Sequence, residues 1–559
     1  MSSKSSALTK IITPLLLIIS LTFLPLPFLP PSTKIQSYPE TESIKSFIQC
    51  FHNLTNVSDL ISISNTSSYH STLLSSLKNN RFLFSATTSM PSLILAAKSD
   101  PHVQAAVICA ARSNLNIRPR SGGHDYEGLS YCAHQTNSSF ITLDISALHS
   151  ISFEELSGTA WVQAGATLGQ LYYEIAGRNK TAAFPAGFCP TVGVGGHVSG
   201  GGMGSLTRKY GTAADNVVDA RLVDVKGRIL NRESMGEELF WAIRGAGAAG
   251  FGIIVAFKIS LVEVPEKVTV FNAVRTSANQ NVTELAGRWQ EIGHRLDVDL
   301  FIRLIAEATA KKDETTASIK LTFSSLYLGG RKEVLRLAKQ SFPELELKAS
   351  ECVEMTWLES FLFFNGLYGK FPVEALVNKI IESTGSFKAK SDFVQKSIPG
   401  SGLNKIWRFL MEAYEDGEWF VLIMEPFGGK MSEISEDEIA FPHRKGNLYN
   451  IQYILKWLDS EEEKGGGIER RLRRMKSLYE LMAPYASTEP RAAYYNYKDM
   501  DLGRNAEGKS SRYSAAAEGW GRMYFKGNFR RLAELKGKVD PHNFFWNEQT
   551  VPPLHADFM

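Results

Sequence analysis

Between Phe184 and Gly204 the chain reads Phe-Pro-Ala-Gly-Phe-Cys-Pro-Thr-Val-Gly-Val-Gly-Gly-His-Val-Ser-Gly-Gly-Gly-Met-Gly, with seven glycines from Gly193 to Gly204. Glycine loses more conformational freedom on ordering than any other residue, so this density predicts a loop and neither a regular helix nor a regular strand. Glycines also let backbone N–H groups approach a ligand closely and take up positive φ, as a loop laid along a phosphate or a flat ring system must. A dispensable linker has no use for Cys189 and His197. Upstream, Arg118-Pro-Arg-Ser-Gly-Gly-His-Asp-Tyr-Glu-Gly128 repeats the recipe, with paired glycines beside His124. The two stretches are expected to be facing walls of one cofactor site.

Around these loops the pattern is mixed. Ser99–Arg112 has a capping residue, Pro101 in the first turn and apolar residues at helical spacing, which predicts a helix. Asn116–Arg120, Phe140–Asp144, Thr159–Ala164 and Asn216–Asp224 read as strands, and Thr167–Arg178 as a helix. Gly245-Ala-Gly-Ala-Ala-Gly250 satisfies the G-x-G-x-x-G dinucleotide pattern, but a helical Glu237–Arg244 precedes it and a strand, Gly252–Val262, follows. That is the reverse of the strand-then-helix context the fingerprint requires, so a Rossmann NAD site is rejected. These glycines are expected to let the turn pack against a cofactor held by the other two loops.

Residues 266–490 alternate strands such as Lys267–Phe271, Ser318–Phe323 and Trp419–Glu425 with helices such as Val282–Arg295 and Ile468–Met482. They predict an antiparallel sheet backed by helices that builds a substrate chamber. The basic run Arg470, Arg471, Arg473, Arg474 and Lys476 is expected to be a solvated helix face. A helix over Phe525–Lys536 is expected to return the chain to the first domain. The domains predicted are thus a signal peptide over 1–32, a first domain over 33–265 with its core at 81–265, a second over 266–490, and a C-terminal segment over 491–559 that rejoins the first.

Lys4 and Lys10 precede an apolar run, Ile11–Leu24, of signal-peptide length. Prolines 14, 25, 27, 30 and 31 interrupt a span already short of the roughly 20 apolar residues a bilayer needs, so stable membrane insertion is not expected. Sequons at Asn53, Asn56, Asn65, Asn137, Asn179 and Asn281 agree with the secretory pathway and N-linked glycans, with the apoplast or the vacuole as destination. Five cysteines are too few for a disulfide-built scaffold; Cys50 is expected to pair with Cys109, while Cys132 and Cys352 stay unassigned. With 61 basic against 58 acidic residues, a net charge of +3 attracts no nucleic acid, and a small-molecule partner is expected.

No metal site is expected, because zinc needs three or four ligands at suitable spacing and none is supplied. A Cys-His hydrolase has no need of the glycine excess, which is typical of a bound dinucleotide. Arg120-Ser-Gly-Gly-His-Asp-Tyr-Glu-Gly128 and Cys189-Pro-Thr-Val-Gly-Val-Gly-Gly-His-Val-Ser-Gly-Gly-Gly202 resemble the signatures of plant berberine bridge enzyme-like FAD-linked oxidoreductases, in the vanillyl-alcohol oxidase superfamily with its PCMH-type FAD-binding domain. Phe441-Pro-His-Arg444, Tyr495–Gly503 and Val539–Phe545 match the same family, in the family's order.

The resemblance implies an α+β, two-domain vanillyl-alcohol oxidase-like fold in a monomer, with FAD attached twice, to His124 through its 8α-methyl group and to Cys189 through C6. It further implies that Arg120, Ser121, Gly122, Gly123, Asp125, Val192, Gly193, Gly195, Gly196, His197, Ser199 and Gly200 surround the cofactor. In that comparison His197 stabilises the anion formed on reduction, and Val192 sits where valine is associated with O2 as acceptor. Tyr126, Tyr495, Tyr497 and Gln452 match positions lining the pocket, with Tyr497 the favoured base; a tyrosine needs a cationic neighbour or strong hydrogen bonding for that role, since its ordinary pKa is about 10. In Tyr449-Asn-Ile-Gln-Tyr453, Asn450 and Gln452 replace the glutamate or lysine of characterised relatives, and Met203 replaces an aromatic residue. The implied function is a secreted flavin oxidase acting on a plant secondary metabolite or sugar alcohol group. The alternatives are a flavin-scaffolded cyclase or cycloaddition catalyst without net redox change, and a carbohydrate-binding glycoprotein that retains FAD without activity.

Overall fold

The computed structural model describes residues 41–555, apart from 65, 86–87, 135–138, 311–316, 379–384, 458–465 and 506–510. The expected signal peptide and the sequons at Asn65 and Asn137 lie outside the described residues.

Three segments of chain build the fold, the first and third sharing one hydrophobic core and the second forming most of another. The first contributes a four-stranded sheet in the order Ile61–Ile63, Leu93–Ala96, Phe140–Asp144, Asn116–Arg120, its last three strands parallel. A five-stranded antiparallel sheet follows, Ile151–Glu154, Thr159–Gln163, Ile253–Ser260, Val217–Val223, Ile229–Leu230. The helix Asp100–Arg112 starts with Pro101 in its first turn, where the missing N–H costs nothing. The Thr167 hydroxyl caps the helix Leu168–Arg178 by accepting from the Gln170 N–H. Cys50 in the helix Glu42–Thr55 is bonded to Cys109, tying the first described helix to the parallel sheet's helix.

The second segment forms a seven-stranded antiparallel sheet, Cys352–Met355, Val268–Thr276, Ala317–Tyr327, Leu300–Ala310, Trp419–Pro426, Tyr449–Trp457, Ser386–Val394. Strand periodicity divides its residues between two faces. Leu304, Leu422 and Tyr453 pack with Trp289, Leu410 and Met475 from three covering helices, Val282–Ile292, Gly400–Glu415 and Gly467–Met482. Their neighbours Ile305, Ile423 and Ile454 form a separate cluster on the opposite face with Tyr126. The basic run is only partly a solvated face: Arg471 is buried over the Trp457 ring, and Arg470 and Arg474 reach Glu418.

In the third segment, the helix expected over Phe525–Lys536 is two helices, Ala515–Phe525 and Asn528–Val539. They break at Lys526, whose φ of 46° leaves the helical region. Trp520, Phe525, Phe529 and Leu532 join the core of the first segment, so the chain's end packs beside the beginning.

Candidate active site

The two glycine stretches touch. A Cβ on Gly193 would lie 2.3 Å from the Gly122 amide nitrogen and 2.1 Å from Ser121 Oγ, so only bare backbone permits this approach. The second stretch is not wholly a loop: Val194–Ser199 forms a short helix, held by Val198 in the core and by Val194 N–H donating to the Ala166 carbonyl. Tertiary burial overrides the weak propensity of glycine there.

At the meeting point Thr191 stands between the two reactive side chains. Its Oγ1 lies 3.1 Å from His124 Nε2 and 3.5 Å from Cys189 Sγ. Burial, with a smaller contribution from Lys78, lowers the His124 pKa to about 3, so the imidazole is neutral and its basic nitrogen available for bond formation. His197 is also neutral, lowered to about 4 by burial. Its Nε2 accepts the Gly187 N–H at 3.0 Å, which assigns the ring proton to Nδ1. His197 therefore offers an uncharged N–H donor, not an imidazolium.

Both loops open on a cavity of about 460 Å³ whose lining includes Ser121, Gly122, Gly123, His124, Asp125, Cys189, Val192, Gly193, Gly195, Gly196, His197 and Ser199. Two expected cofactor contacts are not in that lining. Arg120 turns its guanidinium to Asp144, with Nε donating at 3.0 Å, and to Ser76. Gly200 lies against Asn496, whose Oδ1 sits 1.9 Å from where a Cβ would stand. Asn496 Nδ2 donates to the His197 carbonyl and to Tyr494 Oη, fixing the short helix from the C-terminal segment. The turn of 245–250 reaches the same cavity, with Gly247, Ala248 and Ala249 in its lining, and its glycines also serve a second contact: Gly247, with φ of 77°, gives room to the Tyr495 ring, and Gly245 to Phe441.

The opposite wall is the bare face of the seven-stranded sheet. Gln452 Nε2 donates to Tyr126 Oη, and the Tyr126 ring stacks on Tyr497 with centroids 5.4 Å apart and planes 3° from parallel. Tyr495 also lines the cavity but stays outside that stack; it packs against Tyr524 and Phe525, with Lys498 Nζ 3.4 Å from its ring centroid. Burial raises Tyr126 and Tyr497 above the usual phenol range, and nearby Glu425 pushes Tyr497 further up. Arg303 pulls Tyr497 back only in part, so neither phenol has the depressed pKa a base requires. Asn450 is buried with its amide donating to the Asp392 carbonyl.

Sequence reasoning passed over Thr191, Arg303, Glu425, Lys456 and Lys498, although the last four also line the cavity. A signal was present for two of them. Arg303 in Leu300-Phe-Ile-Arg-Leu-Ile305 and Glu425 in Val421-Leu-Ile-Met-Glu425 are single charges in otherwise apolar strands, which solvation disfavours unless something in the fold uses them.

Comparison with known proteins agrees with this architecture. Residues 91–232 match the family of the FAD binding domain, and residues 493–552 the family described as berberine and berberine like. The chain is 47% identical over 482 residues to berberine bridge enzyme-like 22 of Arabidopsis thaliana, spanning 86% of this chain and 88% of that protein. It is 46% identical over 519 residues to tetrahydroberberine oxidase of Berberis wilsoniae, spanning 92% and 94%. The solved structure of the grass pollen allergen Phl p 4, a glucose dehydrogenase, superposes with a TM-score of 0.84 at 39% identity, over 91% of this chain and 100% of that one. A variant of Phl p 4 with valine in place of one isoleucine is a glucose oxidase. The chain belongs to the berberine bridge enzyme-like family of FAD-dependent oxidoreductases, with the two-domain α+β fold of that family.

The residues present fit FAD. A Cβ added at Gly196 would meet nothing within 4 Å, so bare backbone is presented to open space beside the neutral His197. One cavity is lined both by this glycine wall and by the aromatic sheet face, as a cofactor shared between a binding domain and a substrate domain requires.

Proposed function

We propose that this protein is a secreted oxidase that holds FAD through two covalent bonds, at His124 and Cys189, and oxidises a small molecule in the chamber beneath the seven-stranded sheet with O2 as acceptor. The observation that carries the reading is the single Thr191 hydroxyl within reach of both side chains, which line one glycine-walled cavity. When bound, FAD supplies a two-electron acceptor that dioxygen can reoxidise. The protein's own groups then have separable tasks. With the cofactor bound, His197 would be placed to donate its Nδ1–H to negative charge on the ring system. Gln452 fixes the Tyr126 hydroxyl, and the Tyr126–Tyr497 stack presents a flat apolar surface on which the substrate is oriented.

Val192 lines the cavity half-buried, and the Phl p 4 pair, in which valine for isoleucine accompanies oxidase behaviour, supports O2 as acceptor. The Cys50–Cys109 bridge and the exposed sequon residues Asn53, Asn56, Asn179 and Asn281 support passage through an oxidising secretory compartment.

Acid precipitation of the purified protein tests the attachment. The pellet is expected to stay yellow, with FAD mass on the peptides carrying His124 and Cys189. His124→Ala and Cys189→Ala are each expected to keep FAD on the remaining residue, and the double variant to release it. A colourless wild-type pellet overturns the reading. Anaerobic bleaching of the flavin by substrate separates an oxidase from a redox-neutral cyclase.

A further inference from the structure

One carboxylate in the chamber has no partner. Glu425 is 9% exposed, lines the cavity, and forms no hydrogen bond or ion pair among the described residues. The other buried acids around it are accounted for. Asp125 accepts the N–H groups of Glu127 and Leu129, Asp392 pairs with Arg491, and Glu307 pairs with Lys320 and accepts from Trp419. Leaving an ionisable carboxyl buried and unpaired is costly, and such groups concentrate at functional sites.

Strand register places Glu425 beside a cation in a similar state. Glu425 stands opposite Asn450, and Leu304 opposite Met424, so the next step of that ladder brings Arg303 beside Glu425 on the cavity face. Arg303 is 3% exposed, its Nε has no hydrogen-bond partner among the described residues, and its guanidinium lies 4.2 Å from the Phe188 ring centroid. Burial raises the Glu425 pKa and Arg303 draws it back. The charged and titratable groups facing Glu425 from neighbouring elements are Arg303, Tyr126, Tyr494 and Tyr497. Lys456 lies further along the same sheet face, near Glu307 and Cys189.

A carboxylate and a guanidinium flanking one cavity fit the two ends of a hydroxyl group. Arg303 can donate to the oxygen while Glu425 accepts its hydrogen; a cationic amine would be attracted by one and repelled by the other. Resting on the oxidase reading, we propose that Glu425 is the general base for oxidation of an alcohol, taking the hydroxyl proton while Arg303 holds the oxygen. The O–H bond breaks toward a Glu425 carboxylate oxygen, the carbon's hydrogen leaves with its electron pair to the FAD that the family's activity supplies, and a carbonyl forms. Glu425 afterwards returns the proton to water.

The test uses the holoenzyme and three probes, D-glucose, coniferyl alcohol and tetrahydroberberine, which has no hydroxyl, with anaerobic flavin bleaching as the readout. An alcohol is expected to bleach the wild type at a rate that rises with pH through one titration. Glu425→Gln is expected to lower that rate about 100-fold and flatten its pH dependence, with Glu425→Asp restoring part of both. Independently of turnover, infrared spectra are expected to show a protonated-carboxyl band at acid pH that fades as pH rises and is missing from E425Q. Unchanged alcohol rates and pH dependence in E425Q, or no carboxyl band distinguishing it from wild type, overturns the assignment. Bleaching of the wild type by tetrahydroberberine alone also overturns it, while leaving the oxidase reading intact. Bleaching by none of the three defeats the oxidase reading and this inference with it.

Discussion

Thr191 shows how one hydroxyl can organise two side chains far apart in sequence. Removing it takes a polar neighbour from half-buried His124 and Cys189, a change worth about 1 kcal/mol. Thr191→Val is therefore expected to fold and bind FAD but to attach it incompletely, seen as a fraction of flavin released into the acid supernatant. The threonine was in plain view between the cysteine and the glycines, but its role depends on a loop that sequence separates from it. Tyr495 and Tyr497 make the same point: nothing in Tyr495-Asn-Tyr497 says that the first ring packs with Tyr524 and Phe525 while the second stacks on Tyr126. Alternate residues of an irregular segment diverge according to what packs around them.

At the scale of elements, the contact between the two glycine stretches is the tightest constraint. Gly193→Ala would drive a methyl group into the Gly122 backbone and Ser121 Oγ, which cannot both retreat. A loss of about 3 kcal/mol is expected, read as a fall in melting temperature together with lower flavin content per polypeptide. Glycine density correctly marked where backbone meets backbone, but not that Val194–Ser199 would coil into a helix once Val198 found the core. The reversed order of helix and strand around Gly245–Gly250 was legible and holds in the structure, with Arg232–Ala242 before and Ile253–Ser260 after. The seven-stranded sheet was legible as a class from its apolar strands. Its strand order was not, because neighbours are not always consecutive in the chain: Leu300–Ala310 pairs with Trp419–Pro426, more than a hundred residues away.

For the molecule as a whole, a buried ion cluster joins the three segments. Lys388 of the sheet pairs with Glu127 from the first glycine loop and with Asp499 from the C-terminal segment, and Arg81 also pairs with Glu127. Burial alone would raise Glu127, but Lys388 and Arg81 outweigh it and hold its pKa down to about 2. An unfolded glutamate titrates near 4.5, so this group contributes stability that is complete above that pH and fades as pH falls toward 2. The contribution is on the order of 3 kcal/mol at neutral pH. Glu127→Gln is expected to lower the melting temperature at pH 7 and to make it less sensitive to acid between pH 5 and 2, as calorimetry across that range can check. The cluster also holds the seven-stranded sheet against the first glycine loop and the C-terminal segment: separating them would strand buried charges.

By itself the sequence determined what local chemistry can determine: the glycine-bearing loops with His124 and Cys189, the helices marked by caps and spacing, the pairing of Cys50 with Cys109, and the family to which those motifs belong. Such features rest on residues near one another in the chain, or on residue types with few other uses. Only the tertiary structure decided that Thr191 links His124 and Cys189, that Arg120 and Gly200 face away from the cavity, and that Glu425 and Arg303 stand together in its wall with no hydrogen-bond partner among the described residues. Those facts follow from strand register and burial, which set the surroundings of a charge through contacts between distant segments that no local pattern encodes.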